Sequence, residues 1–405
     1  MTATWSDADR RFMRQALRLA ERARGATKPN PMVGALLVKN GKVLARGYHR
    51  RAGLPHAEVE ALAQLNMRAP GATLYVTVEP CCHRGRTGPC TDAIVRSGIR
   101  RVVIGCCDEN PLVSGRGVAL LRRAGLRVDA GCLKDECQRQ NRAFFMWIRE
   151  RRPWVTLKVA STLDGCIGDR CEKLRRGASR WITGQEARAA AHQLRGEHDA
   201  VLVGVGTVRS DNPRLNVRLS RGEPARVPLR VVLDSQLRTP PAAALLDVPG
   251  APPPLILAAT AAQPDRQLAL RQRRLETAGA EVAFLPPDRH GRVALLPALR
   301  LLARREVQSL LVEGGSRIHG AFVAAGLVDS IAVFLAPRLA GAGVPIVEGR
   351  GLDWRKPARL GPISVRELGG DLLLTAEVVD RGQRRRPPPF PPTPIGPCSP
   401  ASSRH

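Results

Sequence analysis

A histidine and two cysteines, His56, Cys81 and Cys90, constrain this chain more than any other feature, because one small ion can hold all three only if separate stretches meet. His56-Ala57-Glu58 opens a helical pattern. Pro80-Cys81 follows a strand pattern over Thr73–Val78, and Cys90 opens the next helical pattern. One imidazole and two thiolates supply three protein ligands and leave a fourth position free, as in a catalytic zinc site. Zinc lowers the pKa of a bound water to about 7 and so provides a nucleophile at neutral pH. Glu58 places a carboxylate beside the metal without being needed as a ligand. It can take a proton from the water and pass it to a ring nitrogen and then to a leaving amine. The pattern points to one Zn2+ per chain and to hydrolytic deamination of an amino-pyrimidine.

Deaminase signatures of this type close with Cys-x-x-Cys. Here eight residues, Cys82-His83-Arg84-Gly85-Arg86-Thr87-Gly88-Pro89, separate the two cysteines, and they are rich in turn formers that can loop out. Cys82 and His83 are rival ligands. Adjacent cysteines rarely both reach one small site, so Cys82 is read as a spectator. Cys106-Cys107 ends a strand and reads as structural.

Around this constellation strands and helices alternate. Ser6 caps a helix with an acid three residues on, and Phe12, Met13, Ala16, Leu17 and Ala20 recur at helical spacing up to Gly25. Val33–Val38 and Lys42–Tyr48 form a hairpin about Asn40-Gly41. A helix from His56 to Leu65, the strand Thr73–Val78, a helix after Cys90, the strand Arg101–Cys106 and a helix over Val118–Ala124 follow, which argues for a layered α/β domain. A polar, mostly helical stretch, Lys134–Arg152, leads to Pro153, where we place a domain boundary. A second α/β series has strands at Trp154–Ala160, Ala200–Val203, Leu229–Leu233, Leu255–Ala258, Glu281–Leu285, Ser309–Val312, Ile331–Leu335 and Leu372–Val379. Its helices are expected at Gln185–Leu194, Arg266–Ala278 and Ser316–Ala325. Two domains suit 405 residues.

Aromatic residues make up only 3%, so the cores must be built from Ala, Val, Leu and Ile. The net charge of +28 raises the reading of a nucleic-acid partner. The arginines are dispersed, however, and no aromatic stacking platform is interleaved with them. We therefore expect no nucleic acid but an anionic small substrate. Ten cysteines occur without a secretory leader or an apolar run of membrane-spanning length. That combination reads as a reducing, cytoplasmic setting with no membrane partner.

Taken together, Asn30-Pro31-Met32-Val33-Gly34, His56-Ala57-Glu58-Val59, Glu79-Pro80-Cys81, His83, Gly85-Arg86-Thr87, Pro89-Cys90-Thr91-Asp92-Ala93, Asn110-Pro111 and Gly115-Arg116-Gly117 resemble the deaminase half of the bifunctional riboflavin-biosynthesis deaminase/reductase family. That family has an eight-residue spacer between its zinc cysteines. The resemblance implies that His56, Cys81 and Cys90 hold zinc and that Glu58 is catalytic. It further implies that Asn30, His83 and Arg86 contact the substrate, a pyrimidine ribosyl phosphate. Cys82 and Gly88 depart from the family's usual small polar residue and proline.

In the second half, Val203-Gly204-Val205-Gly206-Thr207 follows a strand and Glu313-Gly314-Gly315-Ser316 links a strand to a helix, a pattern that suits a phosphate-bearing ligand or close packing. Neither is the dinucleotide fingerprint. Lys158–Gly165, Ser179-Arg180-Trp181-Ile182-Thr183, Leu194-Arg195, Asp211-Asn212-Pro213-Arg214-Leu215, Asp234-Ser235 and these two segments resemble the family's reductase half, which is similar to dihydrofolate reductases in fold and uses NADPH. The resemblance implies an NADPH site at Ala160, Trp181, Thr207, Asp211, Ser235, Gly315, Ser316, Arg317, Ile318, His319, Gly320 and Ala321. It implies substrate contacts from Lys158, Ser179, Arg195, Leu215, Arg218 and Glu313, with Lys158 also a candidate proton source. The segment Cys166–Ala178, beside the expected nicotinamide, is several residues longer than is usual in the family.

The expected architecture is thus α/β throughout. A cytidine-deaminase-like three-layer deaminase domain spans 1–150, a dihydrofolate-reductase-like α/β reductase domain spans 151–380, and a Pro-rich disordered tail spans 381–405. The family implies that the chain deaminates 2,5-diamino-6-(5-phosphoribosylamino)pyrimidin-4(3H)-one and then reduces the ribosyl group of the uracil product to ribityl. A homo-oligomer is expected. A nucleic-acid deaminase would leave the second domain without a role. A zinc-stabilised module without catalysis would leave Glu58 without one.

Overall fold

A computed structural model describes residues 5–83, 88–111, 113–169, 181–218, 227–260, 265–349 and 351–380. The chain divides into two compact units between Arg151 and Arg152. No helix among the described residues is long and apolar enough to cross a membrane. The proposed tail 381–405 lies outside the described residues.

In the first unit, α1 (Asp7–Glu21) is followed by the hairpin β1 (Gly34–Lys39) and β2 (Lys42–Tyr48), then α2 (Ala57–Ala63), β3 (Thr73–Val78), α3 (Cys90–Arg96), β4 (Arg101–Cys106), α4 (Arg116–Arg123), β5 (Arg127–Ala130), α5 (Lys134–Gln140) and α6 (Arg142–Glu150). Ser6 caps α1, its hydroxyl accepting from the Asp9 N–H at 3.1 Å. The helix stops at Glu21, short of Gly25. Asn40 and Gly41, with φ of 51° and 73°, make the hairpin turn that their types allow. The sheet order is β2-β1-β3-β4-β5. β1 is antiparallel to its neighbours, and β3, β4 and β5 are parallel.

Alternate strand residues face opposite sides. Ala35, Leu37, Leu74, Val76, Val102 and Ile104 pack against α2, α3 and α4. On the other face Phe12 of α1 stacks at a tilt on Tyr75, with ring centroids 5.2 Å apart. The polar reading of 134–152 needs correction at α6. Phe144, Phe145, Met146, Trp147 and Ile148 are all buried there, so this helix is part of a core.

The second unit contains β6 (Trp154–Thr162), β7 (Cys166–Gly168), α7 (Gln185–Gly196), β8 (Ala200–Gly204), α8 (Val205–Asp211), β9 (Leu229–Leu233), β10 (Leu255–Ala259), α9 (Arg266–Thr277), β11 (Glu281–Leu285), α10 (Leu295–Arg304), β12 (Ser309–Val312), α11 (Ser316–Ala324), β13 (Ser330–Ala336), β14 (Val344–Pro345), β15 (Arg359–Leu360), β16 (Ser364–Leu368) and β17 (Asp371–Asp380). Its large sheet runs β11-β10-β9-β8-β12-β6-β13-β17-β15, with β16 also on β17. From β11 to β13 every neighbouring pair is parallel. The carboxyl ends of these seven strands therefore share one edge.

One face carries Val155, Leu157, Leu202, Val231 and Leu310 against α10 and α11, whose Leu299, Leu302 and Phe322 are buried. The opposite face carries Val201, Val203, Val232 and Ile256 against Val208 of α8 and Leu275 of α9. Adjacent strands β8 and β12 thus send their following helices to opposite faces. That is a topological switch point, where open α/β sheets bind ligands beyond the carboxyl ends of their strands. At the start of β6, Arg152 forms a buried pair with Asp329, donating to its two carboxylate oxygens at 2.6 and 2.8 Å.

Candidate active sites

The first site begins with a glycine. A Cβ on Gly47 of β2 would lie 2.1 Å from the Ala57 carbonyl oxygen, so glycine there lets α2 press onto the hairpin. His56, the N-cap of α2, is extended at φ −71° and ψ 163°, which turns its ring off the end of the helix. Its Nδ1 lies 3.2 Å from Cys90 Sγ and 3.4 Å from Cys81 Sγ. Cys81 Sγ also accepts the Cys90 N–H at the start of α3, at 3.4 Å. The three ligand atoms all lie within 4.8 Å of one another, and no other group among the described residues could hold a metal ion in this way. Cys82 is half-buried and outside the cluster.

The Cys90 hydrogen bond, reinforced by His56, pushes the Cys81 thiol well below its ordinary value despite burial. A sulfur set in this way is prepared as a thiolate ligand. One nitrogen and two sulfurs so placed fit a zinc ion with one position to spare. Glu58 is 3% exposed. Burial pushes its carboxyl up to about 7, and it meets the Cys90 thiol. Glu79 secures the other approach. Its carboxylate accepts the N–H groups of Gly115 and Val118, each at 3.0 Å, and so clamps the 108–118 segment against Pro80-Cys81.

Sequence reasoning missed His49, which is 1% exposed. Its Nε2 accepts from the Asn30 amide at 3.1 Å and its Nδ1 donates to the Pro55 carbonyl at 3.1 Å. Burial lowers its pKa, which matches the neutral tautomer that this pattern requires. The ring stands edge-on to His56, with centroids 5.1 Å apart. No local signal marks His49, because its partners lie in other turns of the chain. His83 Nδ1 is buried without a hydrogen-bond partner. Arg86 lies outside the described residues.

The second site gathers on the carboxyl edge of the large sheet. Glu313, just past β12, accepts from Arg195 of α7 through both carboxylate oxygens, with Nη2 2.7 Å from Oε2. Lys158 of β6 places Nζ 3.7 Å from Oε2. Burial alone would raise the Glu313 pKa, but Arg195 and Lys158 outweigh it and hold the group at about 2. Burial pushes Lys158 below its ordinary value, with Glu313 opposing.

His192, not singled out by the sequence, completes this cluster. Its Nδ1 lies 3.4 Å from Arg195 Nη1 and 3.3 Å from the Arg218 backbone N–H. Burial and the neighbouring Arg195 and Arg218 push it down to about 4. Leu215 is buried, while the Arg218 side chain is exposed. Arg195 uses its fork on Glu313, whereas the Arg218 side chain is open to solvent. Ser179 lies outside the described residues, as does most of the longer segment that starts at Cys166.

The glycine-rich segments divide between packing and opening. A Cβ on Gly314 would lie 2.7 Å from Val203 Cα, and one on Gly204 would lie 2.8 Å from Ile318 Cγ1, so these two allow close packing. Gly206 faces open space. Gly315, at φ +56°, stands 3.4 Å (from an added Cβ) off Thr207 Oγ1 at the switch point. The Val205–Thr207 stretch that follows the strand is the first turn of α8.

Of the remaining residues, Thr207 and Asp211 lie on α8. Ser316, Arg317, Ile318, His319, Gly320 and Ala321 form the first turns of α11. His319 Nε2 is buried without a partner. Ala160 packs with α7. Ser235 follows β9, and its hydroxyl accepts the Val293 N–H at 3.0 Å. Trp181 is 55% exposed, which excludes core filling, and the Arg188 guanidinium lies 4.9 Å from its ring centre. The switch point between α8 and α11, which lie on opposite faces of the sheet, together with the unpartnered buried His319 Nε2 on α11, fits a nicotinamide dinucleotide.

Two family profiles match the chain. The cytidine and deoxycytidylate deaminase zinc-binding region matches residues 6–106, and the RibD C-terminal domain matches residues 153–374. Riboflavin biosynthesis protein RibD of Aquifex aeolicus is 43% identical over 368 residues, which is 91% of this chain and 98% of that protein. Among solved structures, Acinetobacter baumannii RibD aligns with a TM-score of 0.79 at 34% identity, over 92% of this chain and 99% of that one. A diaminohydroxyphosphoribosylaminopyrimidine deaminase/5-amino-6-(5-phosphoribosylamino)uracil reductase from Thermotoga maritima aligns with a TM-score of 0.77 at 35% identity, with the same coverage.

Proposed function

This chain belongs to the RibD family of riboflavin biosynthesis proteins, and on that premise we propose that it performs two successive reactions on one pyrimidine ribosyl phosphate. The first is hydrolytic deamination of 2,5-diamino-6-(5-phosphoribosylamino)pyrimidin-4(3H)-one. The second is NADPH-dependent reduction of the ribosyl group of 5-amino-6-(5-phosphoribosylamino)uracil to ribityl. The observation that carries this reading is the convergence of His56, Cys81 and Cys90 within 4.8 Å, with the buried Glu58 against them.

His56, Cys81 and Cys90 would hold a zinc ion, which would supply a water activated at neutral pH. Glu58 would be the group that takes up a proton beside the cluster and returns it to the ring nitrogen and then to the departing amine. A carboxyl raised toward the working pH does this better than an ordinary one, because it both takes and returns the proton readily. Asn30, fixed by the neutral His49, is assigned with His83 to the substrate's pyrimidine ring or phosphoribosyl arm, and the family resemblance adds Arg86. In the second unit the nicotinamide cofactor supplies the hydride. Glu313 is oriented by Arg195 and Lys158 to hold the substrate, and Arg218 grips the phosphate. Lys158 is the candidate source of the reductase proton. Thr207, Ser235 and the start of α11 hold the cofactor, and NADPH is the form we assign.

We assign a reducing cytoplasmic setting, which the cysteine usage of the sequence supports. Exposed Ile363, Val365 and Val379 near the β15–β16–β17 edge support a homo-oligomer.

The test is Glu58→Gln. With zinc retained, it should abolish ammonia release while sparing NADPH oxidation on the deaminated intermediate. Undiminished deamination would refute the proton role.

A further inference from the structure

The first turn of α11, where the cofactor reading places a phosphate-bearing ligand, already holds an anion from this chain. The Ser316 hydroxyl donates to Glu348 Oε2 at 2.9 Å, and Arg317 Nε lies 3.4 Å from Glu348 Oε1. Backbone contacts seat this carboxylate. The Glu348 N–H donates to the Ser316 carbonyl at 3.1 Å, and the Ile346 carbonyl lies 3.0 Å from His319 Nδ1. A Cβ on Gly320 would lie 1.9 Å from the Glu348 carbonyl oxygen, so α11 and the 346–348 strap touch backbone to backbone. The strap is held at its other end too. The Asp164 carboxylate accepts the Ala340 and Gly341 N–H groups at 3.0 and 2.7 Å, and Ile346 N–H donates to the Gly165 carbonyl at 3.1 Å. Gly315, the N-cap of α11, has no side chain to cap the helix. Glu348 therefore supplies the negative charge that a helix N-terminus favours.

We propose that Glu348 sets the affinity of the cofactor site: its carboxylate lies against the start of α11, so a phosphate-bearing dinucleotide must compete with it for Ser316 and Arg317. Glu348 is not one of the residues assigned to the reacting Lys158–Arg195–Glu313 cluster. In the absence of cofactor its carboxylate is held by Ser316 and Arg317. On binding, the same charge lies against the incoming phosphates and lowers affinity for them. The inference rests on the assignment of a nicotinamide dinucleotide to this crevice.

The test compares wild type with Glu348→Gln, and with Glu348→Ala as a second variant, by calorimetric titration of the full chain with NADPH, NADH and inorganic pyrophosphate at low and high salt. Removing one charge at a helix N-terminus should tighten NADPH binding by about two- to fivefold at low salt. The gain should shrink at high salt, where the interaction is screened. The melting temperature of the cofactor-free variant should fall. Unchanged or weaker NADPH binding in both variants, with that same fall in melting temperature, overturns the proposal and leaves Glu348 a simple helix cap. A wild type that binds none of the dinucleotides instead overturns the cofactor assignment itself, a result read before any variant is compared.

Discussion

Replacing Glu313 with Gln should cost the second unit about 3 kcal/mol at neutral pH. Burial raises the carboxyl's pKa, and Arg195 with Lys158 reverse this and take it from 4.5 to about 2. A difference of that size at roughly 1.4 kcal/mol per pH unit gives about 3 kcal/mol, at the lower end of what breaking a buried ion pair costs. The folded-state pKa is depressed, so the stabilisation is complete above the unfolded value and is lost as pH falls from about 4.5 toward 2. In the variant, Arg195 and Lys158 remain buried without their counter-charge, and the Lys158 pKa falls further. Urea unfolding of wild type and Glu313→Gln, measured between pH 7 and pH 3.5, reads the effect. Roughly two-fifths of the difference should disappear over that interval. Ammonia release by the first unit should be unaffected, and NADPH oxidation should be lost. Equal stability at pH 7, or a deficit that does not change with pH, would refute the assignment of Glu313 as a carboxylate held ionised by two cations.

The remaining predictions concern packing and ligation. Gly314→Ala should destabilise the second unit by at least about 1–3 kcal/mol, because the atom it meets is Val203 Cα at 2.7 Å and backbone cannot swing aside; a melting temperature equal to wild type would contradict this. Cys90→Ser should lose bound zinc while Cys82→Ser keeps one ion per chain, as read by metal analysis of the purified proteins. Asn30→Ala should raise KM for deamination while leaving NADPH oxidation on the deaminated intermediate intact, and His49→Ala should act in the same direction through Asn30, because the two side chains are joined at 3.1 Å.

Where periodicity and turn chemistry agreed, the sequence was readable to the residue. The strands Lys42–Tyr48, Thr73–Val78, Arg101–Cys106, Leu229–Leu233, Glu281–Leu285 and Ser309–Val312 occupy the ranges expected. Failures have physical reasons. α6 buries five consecutive residues, Phe144–Ile148, inside a stretch whose flanking residues are charged, and those charges make the whole stretch look polar. α10 buries Ala298, Leu299, Leu302 and Ala303 at helical spacing. It was overlooked because Pro297 stands within its first turn, where a missing N–H costs nothing. β5 is only four residues long and sits at a sheet edge. The metal cluster was legible because ligand chemistry restricts residue types and spacing. His49, Glu79, His192 and Glu348 were not, since each has at least one partner distant in sequence, as with His192 and Arg218 or Glu348 and Ser316. The two glycine segments looked alike in sequence, and only three-dimensional packing separates Gly204 and Gly314, which allow close approach, from Gly206, where an added Cβ would meet nothing within 4 Å, and Gly315, whose φ of +56° favours glycine.

The central claim is that one chain carries both reactions in order. Purified protein incubated with the diamino-pyrimidine ribosyl phosphate and analysed by mass spectrometry tests it directly. Without NADPH, the product should have one amino group replaced by oxygen and should accumulate with an equal amount of ammonia; on adding NADPH, that product should gain two hydrogens. Substrate left intact in the presence of stoichiometric zinc, or reduction that precedes loss of the amino group, would contradict the account.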